Sequence, residues 1–585
     1  MSDSQRDWLE ELDANMRREV SCQRLAAESI WALPMEERVA GGHSLGPLRV
    51  TAVSTQRLTL GSETTAAQFA PCTLREGSHV RLSRNTPTSP AAHAVLLGED
   101  SDGFHFEVRK KGFNPSPADG WTIDPDFMDL TDMFAAAIDA LATTALGRGR
   151  IMPLLMGHSG SILDGERYDE EMSSFENPVE GAGQWRDSQQ EAIAACMAAA
   201  DAFLVQGPPG TGKTRVLAEI AARLIAAGQR VLITGPTHRA IHQALCAVRS
   251  AVPASVKVVK IGPAPLGGND IECYESYPDS GLIEGGDPHV VGATPYALWS
   301  KYRGLHEAMF DTVLIDEASQ ITPLLAAMAM LRAEKWLFFG DDRQLPPVVL
   351  ADTGAVPRLR SVFGVLKDRD FDCMLTETWR LSRALAEWPS ATFYGNRLVA
   401  RHDRRLQLDP PSALPDLASE SALFLHLSEN SAGTVRNDGD AMHVARLVRD
   451  LVAGGVVPEM IGVITPFRAQ AARIRQLLAI NHGFADLNRR VLVDTVERFQ
   501  GQEREVILIS LAAAKMNFIA RRADFIFQPE RLNVAVTRAR VKTVLVASRG
   551  LVAAAESLAD AGHAGAICFS SLVAHLCAHQ SQVAT

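Results

Sequence analysis

The chain has 585 residues, enough for about three to four domains with separate cores. Its 46% hydrophobic and 22% charged content is ordinary for a soluble globular protein, and no apolar run is long enough to span a bilayer. A net charge of −11 excludes a surface coated in basic residues for nucleic acid but leaves room for a local basic channel.

The start at 1–6 is polar and has no signal-peptide core, so a cytoplasmic protein without membrane contact is expected. The eight cysteines are scattered with no Cys-x-x-Cys, which argues against a zinc ribbon, an iron–sulfur cluster or a disulfide framework. Residues 4–33 carry Leu12, Met16 and Val20 at helical steps, with Ser4 and Asp7 as a candidate cap. From Leu48 the period becomes two, and about five short strands in 47–109 predict a small antiparallel barrel. Helix returns over 126–145, and 147–181 reads as a loop-rich connector.

From Gln184 apolar strands alternate with helices, the pattern of parallel sheets covered on both faces. One series of strand candidates lies at 203–205, 231–234, 290–292, 312–315 and 336–339, and a second at 423–427, 461–464, 491–494, 506–510 and 544–547. Segments 351–370 and 408–416 read as linkers. The expected units are thus 1–46, a barrel over 47–112, a helix and connector over 113–180, and two α/β lobes over 181–352 and 353–585.

Residues 206–215 read Gln-Gly-Pro-Pro-Gly-Thr-Gly-Lys-Thr-Arg, between an apolar strand and a helical pattern. That context defines a phosphate-binding loop. Gly207, Gly210 and Gly212 let backbone N–H groups turn around a polyphosphate, Lys213 reaches its outer phosphates, and the Thr214 hydroxyl can ligate Mg²⁺. Thr211 and Arg215 complete the nucleotide-contacting loop. The strand before Asp316 and Glu317 ends in two carboxylates: Asp316 would hold Mg²⁺, directly or through water, and Glu317 would deprotonate the attacking water. Gln344, after the next strand, is placed to sense the γ-phosphate. The chain is therefore expected to bind and hydrolyse ATP with Mg²⁺.

These motifs and those that follow resemble a superfamily 1 helicase, in the branch of the nonsense-mediated-decay (up-frameshift) helicase and the immunoglobulin-mu-binding helicase. The resemblance runs in unbroken motif order from about Trp185 to Ala547. It implies two RecA-like lobes with an N-terminal barrel on stalk helices. Trp-Arg-Asp-Ser-Gln at 185–189 resembles the adenine-recognising Q motif, with Gln189 on the base edge and Gln190 as an alternative. Gly-Pro-Thr-His at 235–238 and Gly-Ala-Thr-Pro at 292–295 resemble strand-gripping motifs, which assigns Pro236, Thr237, His238 and Thr294 to nucleic acid. The family often has Asn where His238 stands.

Leu-Thr-Glu-Thr-Trp-Arg at 375–380 resembles motif IV, with Trp379 stacking on the nucleobase and Arg380 as an arginine finger. Thr465 and Pro466 fall on a further strand contact, and 493–503 resembles motif V, linking nucleic acid at Thr495 to nucleotide at Glu503. Arg538 matches the second finger of motif VI. The resemblance implies 5′→3′ movement of a monomeric core along single-stranded DNA or RNA; protein partners are not specified. A nucleotide-operated clamp or remodelling switch that separates no strands shares every motif and remains the alternative reading. The motifs that follow the P-loop disfavour a small-molecule kinase.

Overall fold

The computed structural model describes the chain except residues 55–56, 62–73, 75–76, 101–102, 109–112, 114, 116–119, 177–183, 266–269, 283–285, 352–360, 481–482, 485 and 584–585. The expected unit boundaries at 112, 180 and 352 and the first half of the expected 351–370 linker lie in or beside those stretches, outside the described residues.

The first helix, Asp3–Trp31, is started by a capping box in which Ser2, not Ser4, accepts from the Gln5 amide while the Gln5 side chain accepts from the Ser2 amide. Its buried stripe of Trp8, Leu12, Met16 and Val20 joins the same core as the first parallel sheet, beside helix Thr131–Thr143. The Glu19 carboxylate on that stripe accepts from the amides of Leu350 at 2.9 Å and Ala351 at 2.7 Å. The helix is thus built into the first lobe.

The barrel has six strands rather than five: β1 (Leu45–Val53), β2 (Arg57–Gly61), β3 (His79–Ser83), β4 (Ala92–Asp100), β5 (Gly103–Val108) and β6 (Trp121–Pro125). They close antiparallel in the order β1-β2-β5-β4-β3-β6 around Leu48, Leu60, Val80, Leu82, Phe106 and Ile123. The sixth strand lies past the expected end at 112 because it holds Asp124, a buried carboxylate that an apolar-alternation rule passes over. Arg38, on the short helix Met35–Ala40, donates to Asp124 at 2.7 Å with both side chains buried, tying helix to barrel. The expected connector is also more ordered than its glycines suggest. It holds a π turn at Gly147–Ile151 and helices Met152–Met156 and Gly165–Ser173.

The first lobe is one parallel sheet of eight strands: β7 (Ala202–Gln206), β8 (Val231–Thr234), β9 (Lys257–Ile261), β10 (Glu272–Tyr274), β11 (His289–Gly292), β12 (Phe310–Ile315), β13 (Ala333–Gly340) and β14 (Asp372–Met374). Their order is β10-β9-β11-β8-β12-β13-β7-β14. The last strand corrects the expected break at 352/353: helix Val362–Leu366 and β14 lie beyond it, yet both pack into the first lobe. Strands β15 (Glu377–Ser382) and β16 (Val399–His402) form a parallel pair between the lobes. The second sheet holds β17 (Leu423–Ser428), β18 (Ile461–Ile464), β19 (Leu492–Asp494), β20 (Arg504–Ser510) and β21 (Ala539–Ser548), ordered β17-β21-β20-β18-β19. Parallel strands buried on both faces leave the loops at their ends free, and open α/β sheets bind ligands outside the carboxyl ends.

Candidate active site between the two sheets

Strand β7 is fully buried and delivers the loop 207–212 to the helix Lys213–Ala226. Gly210 and Gly212 sit at φ of 76° and 83°, the left-handed region that glycine adopts without strain. A side chain at Gly210 would also strike Arg380 and Thr378 of β15, so the loop and that strand are in close contact. Trp379 N donates to the Gly210 carbonyl at 2.9 Å, and the Thr378 hydroxyl to the Pro209 carbonyl at 2.7 Å. The strand carrying Arg380 is therefore pinned to the phosphate loop. It is not carried by the second lobe alone.

Neighbouring strands β12 and β13 end beside this loop. Lys213 Nζ donates to Asp316 Oδ1 at 2.8 Å and to Glu317 Oε1 at 2.6 Å. Burial alone would lower the lysine's pKa, but the two carboxylates outweigh it and hold the ammonium above its ordinary value. Burial works against the charge on Glu317 as well, yet Lys213, Gln320 and Arg538 together keep its carboxylate below the usual range. For Asp316 burial prevails, and its carboxyl is raised. Glu317 has a φ of 51°, a left-handed conformation that costs a non-glycine residue about 1–3 kcal/mol. Its amide, turned back, donates to Asp316 Oδ1 at 2.9 Å. The strained bend aims both carboxylates at the phosphate loop.

The second sheet faces this site with the amino ends of β20 and β21. Glu503 and Arg538 immediately precede those two strands, which are neighbours. Arg380 Nε donates to Glu503 Oε2 at 2.5 Å, and Arg540 pairs with the other Glu503 oxygen. Against the effect of burial, these guanidinium groups hold Glu503 below the usual carboxylate range. Arg538 is buried, and its Nη2 donates to Gln344 Oε1 at 3.1 Å. Burial and then Arg380 lower its pKa, but a guanidinium remains charged at neutral pH. Gln344 in turn donates to Asp341 at 2.7 Å.

Asp341 also accepts from Gln206 at 3.1 Å and from the Tyr394 hydroxyl at 2.8 Å, and Asn533 donates to that hydroxyl at 2.9 Å. Burial raises the Asp341 carboxyl despite these donors. This buried chain joins the two lobes behind Arg538, and of its members the sequence pattern singled out only Gln344 and Arg538. Gln500 is a second residue the sequence reading missed. Its amide donates to Glu317 Oε2 at 3.3 Å, placing a far-lobe side chain on the catalytic-base candidate.

These groups line one cavity of about 1010 Å³. It brings together the phosphate loop with Thr211 and Thr214, the carboxylates Asp316 and Glu317, Gln344, Trp379 and Arg380 of β15, and the far-lobe Glu503 and Arg538. The Thr214 hydroxyl and Asp316 carboxylate are hard oxygen donors on one wall, the set that suits Mg²⁺. Trp379 is half exposed, with the Arg186 guanidinium 5.2 Å from its ring centre. Leu96 and Phe104 of the barrel reach the far end of the cavity.

Two expected nucleotide contacts lie elsewhere. Gln189 is buried and spends its amide on the protein, accepting from Arg186 N at 3.3 Å and donating to the Thr211 carbonyl at 2.9 Å. In this arrangement it braces the phosphate loop and is not presented to a base edge. Its alternative, Gln190, donates to the Trp185 carbonyl at 3.1 Å. Arg215 is exposed and lies over the Trp185 ring at 4.0 Å, away from the cavity.

The expected strand contacts follow the carboxyl ends of neighbouring strands: Pro236–His238 after β8, Thr294 after β11, Thr465 and Pro466 after β18, and Thr495 after β19. Three of these seven residues are withdrawn from the surface. Thr294, Thr465 and Thr495 are buried. The Thr294 hydroxyl accepts from Ala297 N at 3.2 Å, that of Thr465 from Phe467 N at 3.4 Å, and that of Thr237 from Ala240 N at 3.1 Å. Only Pro236 and Thr237 of this group reach the cavity wall. Burial, then Lys260, Arg303 and His79, push the His238 imidazole down to about 3, so it is neutral. The barrel sits against this row: Arg498, beside Thr495, donates to the Leu74 carbonyl at 2.7 Å.

Comparison with known proteins agrees with this architecture. Two AAA-domain families match, one over residues 184–269 and 288–352 and the other over 359–550. The nematode (Caenorhabditis elegans) Regulator of nonsense transcripts 1 is 28% identical over 82% of this chain and 49% of its own length. The Arabidopsis thaliana homologue of that regulator is 30% identical over 59% of this chain and 31% of its own. The DNA replication ATP-dependent helicase/nuclease DNA2 of Saccharomyces cerevisiae is 28% identical over 62% of this chain and 26% of its own. The matched region thus spans less than half the length of each of these relatives.

Proposed function

Because the chain belongs to the superfamily 1 helicases related to the regulators of nonsense transcripts, we propose that it is an ATP-driven motor that moves 5′→3′ along single-stranded nucleic acid. The observation that carries this reading is the single cavity in which Lys213, Asp316 and Glu317 of one sheet face Arg380, Gln500 and Arg538 from the other side. A site divided in this way is complete only when its two halves meet, so hydrolysis and lobe closure are one event.

The residues suggest how the cycle runs. Lys213 is held by two carboxylates, and an entering triphosphate offers its ammonium a denser negative charge. Transfer of the lysine to the phosphates would free Glu317 to orient water and take its proton. Thr214 and Asp316 would hold Mg²⁺, which would supply positive charge beside the phosphates. Arg380 would leave Glu503, and Arg538 would turn from Gln344, to meet charge developing on the γ-phosphoryl oxygens, where planar guanidinium forks bind best. Return of both arginines to Glu503 and Gln344 would restore the resting contacts between the lobes.

The relatives' names divide between DNA replication and nonsense transcripts, so both nucleic acids enter the test. Turnover is measured with matched single-stranded DNA and RNA oligonucleotides, then strand displacement on duplexes with a 5′ or a 3′ overhang. Stimulation by either oligonucleotide and displacement only from the 5′ overhang are expected. Turnover indifferent to both would overturn the motor. Stimulation without displacement would leave the clamp reading in its place.

A further inference from the structure

Far from the cleft, the edge of the second sheet holds a cluster that the motor does not use. His426 lies on β17, Asp416 on the short helix Pro415–Ala418 beside it, and His443 on helix Asp438–Ala453. His443 Nε2 lies 2.5 Å from Asp416 Oδ2, and His426 Nδ1 lies 3.2 Å from the same oxygen. The ligand atoms of all three residues fall within 4.8 Å of one another. The two imidazoles stack with centroids 3.8 Å apart and planes 20° from parallel.

A second observation sets this cluster apart from an ordinary buried ion pair. Asp440, one helical turn before His443, is 1% exposed, and neither of its carboxylate oxygens has a hydrogen-bond partner. The polar groups that act on it are the Ser428 hydroxyl, near enough to favour the carboxylate though outside strict hydrogen-bond geometry, and then the His426 and His443 imidazoles. A buried carboxylate with both oxygens unsatisfied is costly unless a cation meets it. The nearby Lys542 does not, because its ammonium is spent on the Ser419 and Ser421 carbonyls at 2.8 and 2.9 Å.

We propose that Asp416, His426, His443 and Asp440 bind one divalent transition-metal ion of the zinc class. Two neutral imidazoles and two carboxylates give a four-membered N₂O₂ set whose charge one divalent ion balances. The imidazole nitrogens select against Mg²⁺ and Ca²⁺, which prefer oxygen. The present spacings of Asp416, His426 and His443 are those of hydrogen-bonded ligands without an ion between them, and shifts on the order of 1 Å would bring these three to the roughly 2.0–2.2 Å of a zinc bond, while Asp440, outside that tight group but acted on by both imidazoles, would turn in as the fourth. Bound there, the ion would fasten Pro415–Ala418 and helix Asp438–Ala453 to the edge strand, closing the side of the second lobe away from the cleft.

The test uses the full chain, stripped with a chelator and titrated with Co²⁺ as a coloured stand-in, then with Zn²⁺ in competition. One equivalent of Co²⁺ with the intense visible bands of a four-coordinate site, displaced by one Zn²⁺, is expected. Loss of groups merely supporting a metal ligand costs about 10–100-fold in affinity, so His426→Ala and His443→Ala should each cost about 100-fold or more. Asp440→Asn keeps the shape and removes a buried charge, so it should fold as the parent does by circular dichroism while binding at least about tenfold more weakly. His575→Ala, in the separate cluster Glu387, His575 and His579, should leave the bands unchanged. Failure of the parent protein to bind Co²⁺ or Zn²⁺ would overturn the site. So would undiminished binding in a His426→Ala/His443→Ala double variant, unchanged affinity in Asp440→Asn, or loss of the bands in His575→Ala.

Discussion

The nucleotide cleft and the row of proposed strand contacts both draw on loops at the carboxyl ends of parallel strands, the cleft adding β15 and the amino ends of β20 and β21, yet they are found in opposite states. In the cleft, charged side chains converge on open space, and each is held by a partner it can exchange: Lys213 by Asp316 and Glu317, Arg380 by Glu503, Arg538 by Gln344. In the row, Thr294 and Thr465 are buried with their hydroxyls on their own backbone, and Thr495 is buried beside them. A cleft of charges can be assembled before its ligand arrives because each charged group has a local partner, a carboxylate for Lys213 and Arg380 and an amide oxygen for Arg538. A row of hydroxyls has no such stand-in and satisfies itself with main-chain amides. The difference implies that nucleotide binds to a preformed site, whereas the strand must be admitted by a shift of helix ends.

The strongest way to break this comparison is at the arginines. Arg538→Ala and Arg380→Ala are each expected to lower kcat by about 10³-fold, close to 4 kcal/mol, with nucleotide Kd moving only a few-fold. Lysine at either position should rescue in part. A Kd change as large as the kcat change would make the arginines ground-state binders and the cleft less prepared than described. Glu317→Gln comes next, with turnover down about 10²-fold and nucleotide held at least as tightly, since Lys213 then has one carboxylate fewer to leave. Equilibrium binding beside steady-state turnover reads both.

Gln500→Ala sharpens the contrast, because this residue joins the two regions. Loss of one hydrogen bond to Glu317 should reduce nucleic-acid-stimulated turnover by about tenfold, with unstimulated turnover within about twofold. Equal losses in both would make Gln500 part of the cleft alone. Thr495→Val has the smallest expected effect, about a threefold loss of single-strand affinity at fixed salt with unstimulated hydrolysis unchanged. A loss of hydrolysis there as large as for Arg538→Ala would erase the distinction between the regions.

Much of this was legible in the chain itself, for identifiable reasons. Strands 231–234 and 461–464 were read to the residue because every position in them is buried and apolar, or glycine or threonine. Strand β9 was not, because lysines stand at both its first and fourth positions and Lys260 is buried with its ammonium on the Pro263 carbonyl. Helix Met152–Met156 was taken for a loop because Gly147, Gly149 and Pro153 look like breakers. The proline falls in the first turn, where its missing N–H costs nothing, and the glycines belong to the π turn before it. The phosphate loop, Asp316 and Glu317 follow from local pattern because their geometry is local. Gln500 on Glu317 and Tyr394 on Asp341 are contacts 183 and 53 residues apart, and no window of sequence contains them. Gln189 was misplaced for the opposite reason: its position beside the phosphate loop was legible, but which partner its amide chose was not.

The short 3₁₀ turn Val496–Phe499 has a consequence for timing. Within six residues it spans Thr495, a proposed strand contact, Arg498 on the barrel carbonyl of Leu74, and Gln500 on Glu317. At about 2 Å of rise per residue the whole piece is on the order of 10 Å long, too short and too tightly wound to hold any backlash. A linkage without play cannot store one event and release it later. Track, roof and water-activating carboxylate would therefore be set in the same stroke, and the clock of the motor would tick once per displacement of this single turn.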